Sequence, residues 1–335
     1  MAKALGDNTV LFDKKIIFKG FASAVGKKEG QGPLRDEFDI VGRDDRFGQK
    51  SFERAESQLQ RMAVLAALKK AGYRPQDIDC IFAGDLLNQC IGSSFGIKDL
   101  YIPFVGLYGA CSTMALSLIN ASIYLESGAM NRVIAVTSSH FCSAERQYRF
   151  PLEYGAVRPQ TSQWTVTGSG AVVLEEGEGA PYIHSASVGI VQDLGVKDAN
   201  NMGAAMAPAA YDTLCNYLND TGTSPEDYDM IFTGDLGELG SRLLYKLFER
   251  DGVVFSAHHN DCGLLIFDRE KQDVHAGGSG CGCGASVLCS YILKRLKDGR
   301  FNNILFCATG ALLSPTSALQ GENIPAIAHV VNIRS

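Results

Sequence analysis

Residues 75–86 read PQDIDCIFAGDL, and residues 225–236 read PEDYDMIFTGDL. Eight of the twelve positions are identical at an offset of 150 residues, which chance rarely produces within one chain. Each segment begins with a turn at proline and continues into a short apolar run that ends in Gly-Asp, a pattern typical of a buried strand. The offset is too long for a solenoid repeat, so it indicates a duplicated α/β unit whose two copies form one fold.

The elements around the two segments recur in the same order. In each half a helix closed by glycine precedes the segment, and a small-residue turn, a helix and a strand follow it. Alternating strands and helices favour mainly parallel sheets covered by helices. We therefore predict an α/β fold of two pseudo-symmetric halves, residues 1–175 and 176–335, with parallel or mixed sheets and helices in layers. The predicted elements are helices at 51–71, 114–126, 209–218 and 285–296 and strands at 133–137, 163–174 and 304–308.

The first half contains a short turn, GACST at residues 109–113, between an extended run at 101–105 and the amphipathic helix at 114–126, which Gly128 closes. Cys111 therefore lies at the start of a helix. Free backbone N–H groups there favour a negative charge and lower the pKa of a thiol. We expect a reactive Cys111 thiolate and N–H groups that face a ligand. A buried structural cysteine in a tight turn is the alternative interpretation.

Composition limits the classes of protein that this chain can be. Of its 335 residues, 37 are acidic and 31 are basic, and the net charge of −6 argues against nucleic-acid binding and against a polybasic membrane anchor. Residues 1–13 carry no signal-peptide pattern, and no apolar run reaches the roughly 18 residues that cross a membrane. We expect a cytoplasmic protein whose ten cysteines are mostly free thiols.

Three motifs carry a resemblance to a known superfamily. They are the cysteine elbow GACS at 109–112, the strand GSGAVVL at 168–174 and the segment CATG at 307–310. Over nearly its whole length the chain resembles the thiolase-like superfamily. That resemblance implies a layered thiolase-like α/β fold, a nucleophile position at Cys111 and a homodimer.

Further motifs resemble one branch, the stage V sporulation protein AD family of endospore-forming bacteria. They are QWTVTG at 163–168, NDCG at 260–263 and GGSGCGCG at 277–284. This resemblance implies binding of dipicolinic acid (pyridine-2,6-dicarboxylic acid), or of its calcium chelate, for uptake into the developing spore. It also implies membrane proteins of the same sporulation operon as partners and a peripheral location on the spore inner membrane.

The chain departs from the catalytic pattern of condensing relatives. Type III ketoacyl synthases have a histidine after the strand equivalent to 230–233, where this chain has Gly-Asp at 234–235. Thiolases have a histidine in the glycine-rich turn, where this chain has Cys281 and Cys283, with His275 upstream. A Claisen condensation needs a thiolate, a base and an oxyanion hole. A fold reused for binding is therefore our first hypothesis. An acyltransferase that uses the elbow cysteine and a structural subunit with a vestigial pocket are the alternatives.

The candidate ligand site combines the elbow with residues of the second half. The predicted ligand contacts are Cys111, Ser112, Gln163, Thr165, His275, Cys281, Cys283 and Cys307. The C-x-C spacing differs from the paired C-x2-C of structural zinc sites, so we predict no metal site, and no cofactor is predicted.

Two groups of charged or titratable residues near this site are left open. Arg146, Arg149 and Arg158 are typical of solvated surface residues, and a carboxylate clamp is the alternative. The pair at 258–259 is predicted in a surface loop, with a role at the pocket rim as the alternative.

Overall fold

The computed structural model describes residues 2–148 and 157–335. Its strands are β1 Lys3–Leu5, β2 Thr9–Val25, β3 Ile40–Val41, β4 Cys80–Gly84, β5 Phe104–Gly106, β6 Arg132–Ser139, β7 Trp164–Thr165, β8 Gly168–Glu176, β9 Tyr182–Val188, β10 Met230–Thr233, β11 His259–Asp261, β12 Gly278–Ser279, β13 Asn303–Ala311 and β14 Ala326–Arg334. Its α-helices are α1 Phe52–Ala71, α2 Ile91–Ile97, α3 Thr113–Glu126, α4 Phe141–Tyr148, α5 Met202–Thr221, α6 Gly237–Arg250, α7 Cys262–Ile266, α8 Cys281–Val287, α9 Leu293–Lys297 and α10 Pro315–Leu319.

The strand order of the main sheet is symmetric about its centre. The order is β11-β10-β13-β14-β9-β2-β8-β6-β4-β5, and the small sheet β7–β12 lies apart from it. In both halves the two outermost pairs are parallel and the inner pairs are antiparallel. The strands of the sequence repeat, β4 and β10, both lie second from an edge. The predicted pseudo-symmetric fold with parallel or mixed sheets is confirmed, and the main sheet is mixed. The division between residues 175 and 176 stays a prediction.

The apolar clusters show how helices cover this sheet. Helices α3 and α8 pack in the largest cluster together with side chains from strands of both halves. Helix α1 covers the opposite face of the first half, and α5 covers the equivalent face of the second half. Because side chains alternate across a strand, each central strand contributes to an inner and an outer layer. The start of α3 is therefore held between the two halves.

Local signals explain why some boundaries were predictable. The Ser51 hydroxyl accepts a hydrogen bond from the Arg54 N–H at 3.3 Å and caps α1, which Gly72 ends in the left-handed region. The helix predicted at 285–296 instead begins at Cys281 and passes through a π-helical stretch at 288–292. Likewise, the strand predicted at 163–174 is broken into β7 and β8. No helix among the described residues is long and apolar enough to cross a bilayer.

Candidate functional site

The elbow before α3 is a tight turn with a left-handed residue at its centre. Ala110 has φ +50°, a conformation that an L-residue adopts at a cost and that often marks functional turns. The N–H groups of Ser112 and Thr113 donate to the carbonyls of Gly109 and Ala110 at 3.0 and 3.3 Å. The N–H groups of Ser112 and Thr113 therefore do not face a ligand as expected, because the turn's own carbonyls already accept hydrogen bonds from them.

A buried carboxylate joins this elbow to the second half. Asp235 is almost fully buried at the end of β10, and its Oδ2 accepts hydrogen bonds from the Ser279 hydroxyl at 3.1 Å and the Gly280 N–H at 2.9 Å. Its Oδ1 accepts a hydrogen bond from the Thr309 hydroxyl at 2.9 Å. The charge of the same carboxylate acts on the pKa of the nearby Cys111 thiol. Asp235 therefore lies where the elbow, the glycine-rich turn and β13 meet.

The Cys111 thiol is held in its protonated form. Burial raises its pKa well above the ordinary value, and the negative charge of the nearby Asp235 carboxylate raises it further. The expected low pKa is wrong, because burial and the adjacent carboxylate outweigh the helix N-terminus. Burial also raises the pKa of Asp235.

A cavity of about 40 Å³ opens at Cys111. Its apolar wall consists of Leu86, Ala110, Ala144, Met202, Ala311 and Leu313, and its polar wall consists of Tyr108, Glu145, Tyr148, Thr165 and Ser279. The Thr165 hydroxyl donates to Glu145 Oε1 at 3.0 Å. All six histidines lie in the described part of the chain, and none of them lines the cavity. The arrangement lacks an imidazole base beside the thiol.

Some of the predicted site residues do meet here. Cys111 and Thr165 line the cavity, and Cys281 packs against Cys111 while its thiol donates to the Ser138 carbonyl at 2.9 Å. Ser112 lies behind the elbow, where its hydroxyl donates to the Gly109 carbonyl at 2.6 Å. Gln163 links two backbone segments of the site, since its Nε2 donates to the carbonyls of Asp235 and Gly278 at 2.7 and 2.8 Å.

The remaining three predicted residues lie away from both the cavity and the elbow. Cys283 is on another side of α8 and packs in the large central cluster. Cys307 packs in the cluster under α5, because the alternation along β13 directs Gly310, and not Cys307, toward the elbow. His275 pairs with Asp273 at 2.9 Å. These placements do not favour ligand contacts from Cys283, Cys307 or His275.

The described members of the two open groups also lie away from the cavity. Arg146 pairs with Glu53, and Arg158 pairs with Asp273 at 2.9 Å, while Arg149 is outside the described residues. His259 belongs to β11 and is buried, with its ring 2.8 Å from the hydroxyls of Thr233 and Tyr245. The prediction of a surface loop at His259 is therefore wrong.

Sequence reasoning missed several residues that complete the site. Ser279 and Gly280 belong to the glycine-rich segment at 277–284 that the sequence analysis singled out. Their place in that segment was a signal that could have identified them as site residues. Tyr108, Tyr148 and Glu145 had no such signal, because only the tertiary contacts bring α4 over the elbow.

The two pseudo-symmetric halves and the cysteine elbow between them define a thiolase-like fold. The chain is similar to 3-oxoacyl-[acyl-carrier-protein] synthase III from Aquifex aeolicus VF5, with a TM-score of 0.58 and 13% identity over 96% of this chain and 100% of that one. It is also similar to cerulenin-bound OleA from Xanthomonas campestris, with a TM-score of 0.60 and 17% identity over 96% of this chain and 97% of that one.

The chain belongs to the stage V sporulation protein AD family, whose family model matches residues 6–334. Stage V sporulation protein AD from Bacillus subtilis (strain 168) is 46% identical over 329 residues, which are 98% of this chain and 97% of that protein. It is therefore a sporulation protein with a thiolase-like fold.

Proposed function

We propose that this chain binds dipicolinic acid in the cavity at the Cys111 elbow, for uptake of that compound into the developing spore. The observation that carries the proposal is the buried carboxylate of Asp235, which follows β10 beside the Cys111 elbow, where condensing relatives have a histidine. A protonated, buried thiol beside a carboxylate is a poor nucleophile. The chain thus has a cavity at this cysteine but a thiol that is poorly suited to form an acyl-enzyme, which favours binding over condensation.

We further propose that the bound form is the calcium chelate. The hydroxyls of Thr165 and Ser279 already donate their protons to Glu145 and Asp235. The described lining contains no lysine or arginine, so a free dicarboxylate would face carboxyl groups without a compensating cation. Calcium prefers oxygen ligands such as these. The described residues hold no group of three His, Cys, Asp or Glu side chains that could bind a metal, so calcium would enter with the ligand.

Calorimetry with dipicolinate tests the chemical form. We expect binding at least tenfold tighter with excess Ca²⁺ than with a chelator. Glu145→Gln keeps an acceptor for Thr165 but removes the carboxylate, so it should reduce the calcium preference. Glu178→Gln changes an exposed acid outside the described cavity lining and is the matched control. Equal affinities with and without Ca²⁺ would contradict the chelate.

A bulky substitution tests the location. Cys111→Trp should fill the cavity and abolish binding, whereas Leu194→Trp, at an exposed position outside the described cavity lining, should bind like the parent. Thermal melting of both variants establishes that they are folded. Parental binding by Cys111→Trp would place the ligand elsewhere, and no binding by the parent would refute the proposed function.

We also propose a homodimer in which a second copy covers the edge strand β5. Phe104 in this strand is 39% exposed and the preceding Tyr101 is 93% exposed. The symmetry-equivalent edge strand β11 is covered, since His259 and Asp261 are buried. An exposed apolar edge is a template for strand pairing. Light scattering should give a dimer for the parent, a monomer for Phe104→Lys and a dimer for the control Val254→Lys; a monomeric parent would contradict this proposal.

For the cell, we propose a peripheral location on the spore inner membrane through membrane proteins of the same operon. Membership of a sporulation family and the absence of a bilayer-length apolar helix among the described residues agree with this arrangement. Membrane fractions of spores should contain the protein, and deletion of those membrane proteins should release it. Retention in the membrane fraction after their deletion would argue against it.

A further inference from the structure

A second, larger space adjoins the cavity at Cys111. It is a groove of about 260 Å³ that shares Tyr108, Tyr148 and Leu313 with the inner cavity. Its other lining residues are Asn88, Gln89, Leu312, Ser314 and Pro315. The two tyrosines therefore lie between a small inner chamber and a wider outer one.

Hydrogen bonds hold the two tyrosine side chains in this position. The Tyr148 hydroxyl donates to the carbonyl of Leu86 and lies 3.0 Å from the hydroxyl of Tyr108. A hydroxyl has one proton, so Tyr108 is the donor and Tyr148 the acceptor between the two. Burial raises the pKa of both side chains, which keeps both hydroxyls neutral at physiological pH.

The backbone around Tyr148 is fixed by a different side chain. Gln147 Nε2 donates to the Leu86 carbonyl at 3.3 Å and to Asn88 Oδ1 at 3.0 Å, and its Oε1 accepts from the Asn88 N–H at 3.3 Å. The end of α4 thus stays attached to the loop at 86–88 when the tyrosine bonds are broken. Rotation of the Tyr148 ring requires the loss of its own two hydrogen bonds and leaves the clamp from Gln147 intact.

The size of the inner chamber decides what it can hold. At about 40 Å³ it accommodates a few water molecules or one carboxylate-sized group, and it is too small for an aromatic ring. We infer that the ligand site comprises both chambers. Tyr148, hydrogen-bonded to Tyr108 and to the Leu86 carbonyl, is the gate between the two chambers and limits the size of the ligand. A planar aromatic carboxylate would place its carboxyl group in the inner chamber and its ring in the outer groove. The identity of this ligand rests on the proposed function, whereas the gate does not.

Alkylation of Cys111 tests the gate without any ligand. The folded chain is treated with iodoacetamide, and carbamidomethylation of each cysteine is followed over time by peptide mass spectrometry. Tyr148→Phe keeps the ring but removes its hydroxyl, and we expect Cys111 to react about tenfold faster, the change that corresponds to one net hydrogen bond. Tyr124→Phe, at a partly exposed tyrosine that lines neither chamber, is the matched control and should leave the rate unchanged.

Two outcomes would overturn the gate. The first is an unchanged Cys111 rate in Tyr148→Phe. The second is an equal acceleration at Cys262, which is fully buried in the core and would report general loosening of the fold. Acceleration confined to Cys111 supports the gate.

Binding kinetics separate this inference from the proposed function. In stopped-flow experiments with calcium dipicolinate, opening of a gate should raise the association and dissociation rate constants of Tyr148→Phe together and leave Kd nearly unchanged. A change in Kd through the dissociation rate alone would make Tyr148 a contact residue and contradict gating. If no form of dipicolinate binds the parent, the proposed function fails, while the alkylation rates still decide whether Tyr148 is a gate.

Discussion

Gly310 in β13 lies directly against the cysteine elbow, and its replacement by alanine tests whether this contact positions Cys111. A Cβ atom at residue 310 would lie 2.4 Å from the carbonyl oxygen of Gly109 and 2.9 Å from the amide nitrogen of Ser112. Both are backbone atoms, and Ser112 donates to Gly109 within the same turn. The elbow therefore cannot avoid the new methyl group by rotation of a side chain.

The expected cost follows from these distances. A carbon–oxygen contact is comfortable at about 3.3 Å or more, so the elbow and β13 must separate by roughly 1 Å. Overpacking of this kind costs roughly 1–3 kcal/mol. The loss of glycine flexibility in the unfolded chain offsets about 0.4–1 kcal/mol of that cost. We expect Gly310→Ala to lower the free energy of unfolding by about 1–2 kcal/mol and to weaken ligand binding at Cys111.

Urea denaturation of the parent, Gly310→Ala and Gly177→Ala measures this effect. At Gly177 an added Cβ meets the terminal methyl carbon of Ile17 at 2.9 Å, which can move away because it ends a flexible side chain. The control should therefore change stability by less than about 0.5 kcal/mol. Equal stability of parent and Gly310→Ala, with unchanged alkylation of Cys111, would refute the argument that this contact positions the elbow.

Three further predictions concern stability and cysteine chemistry. Burial, together with the nearby Asp85 charge, raises the pKa of Glu56 from 4.5 to about 8, so the folded state retains a proton that the unfolded state has lost between these values. The stability of the parent should therefore fall as pH rises through this window. In urea denaturation, the free energy of unfolding of Glu56→Gln should rise relative to the parent by up to roughly 4 kcal/mol between pH 5 and pH 8. Parallel pH profiles of the two proteins would contradict this. Ser51→Ala removes the cap of α1 and should cost about 1 kcal/mol by the same measurement. All ten cysteines are free in the structure, so thiol titration of the denatured, unreduced chain should count ten, and a count of eight or fewer would reveal a disulfide.

Several features were predictable because they depend on neighbouring residues. The helix at 51–71 follows from apolar periodicity with a serine cap and a closing glycine, and the structure has α1 at Phe52–Ala71. The repeat at an offset of 150 residues predicted equivalent strands, and β4 and β10 do lie at equivalent positions of the sheet. Small residues around Cys111 indicated a tight turn before a helix. A local sequence pattern is sufficient for such features because it fixes the backbone conformation within a few residues.

The chemistry of the site was decided by contacts between distant parts of the chain. The thiol of Cys111 is protonated because folding buries it and places Asp235, 124 residues away in sequence (235 − 111), beside it. Helix α8 begins at Cys281, and its periodicity places Cys281 at the elbow and Cys283 in the core. Along β13, the alternation of side chains directs Gly310 rather than Cys307 toward the elbow. The sequence by itself determined the fold and the position of the elbow. The tertiary structure decided the cavity and the protonation of its cysteine, because burial and long-range hydrogen bonds exist only once both halves pack together.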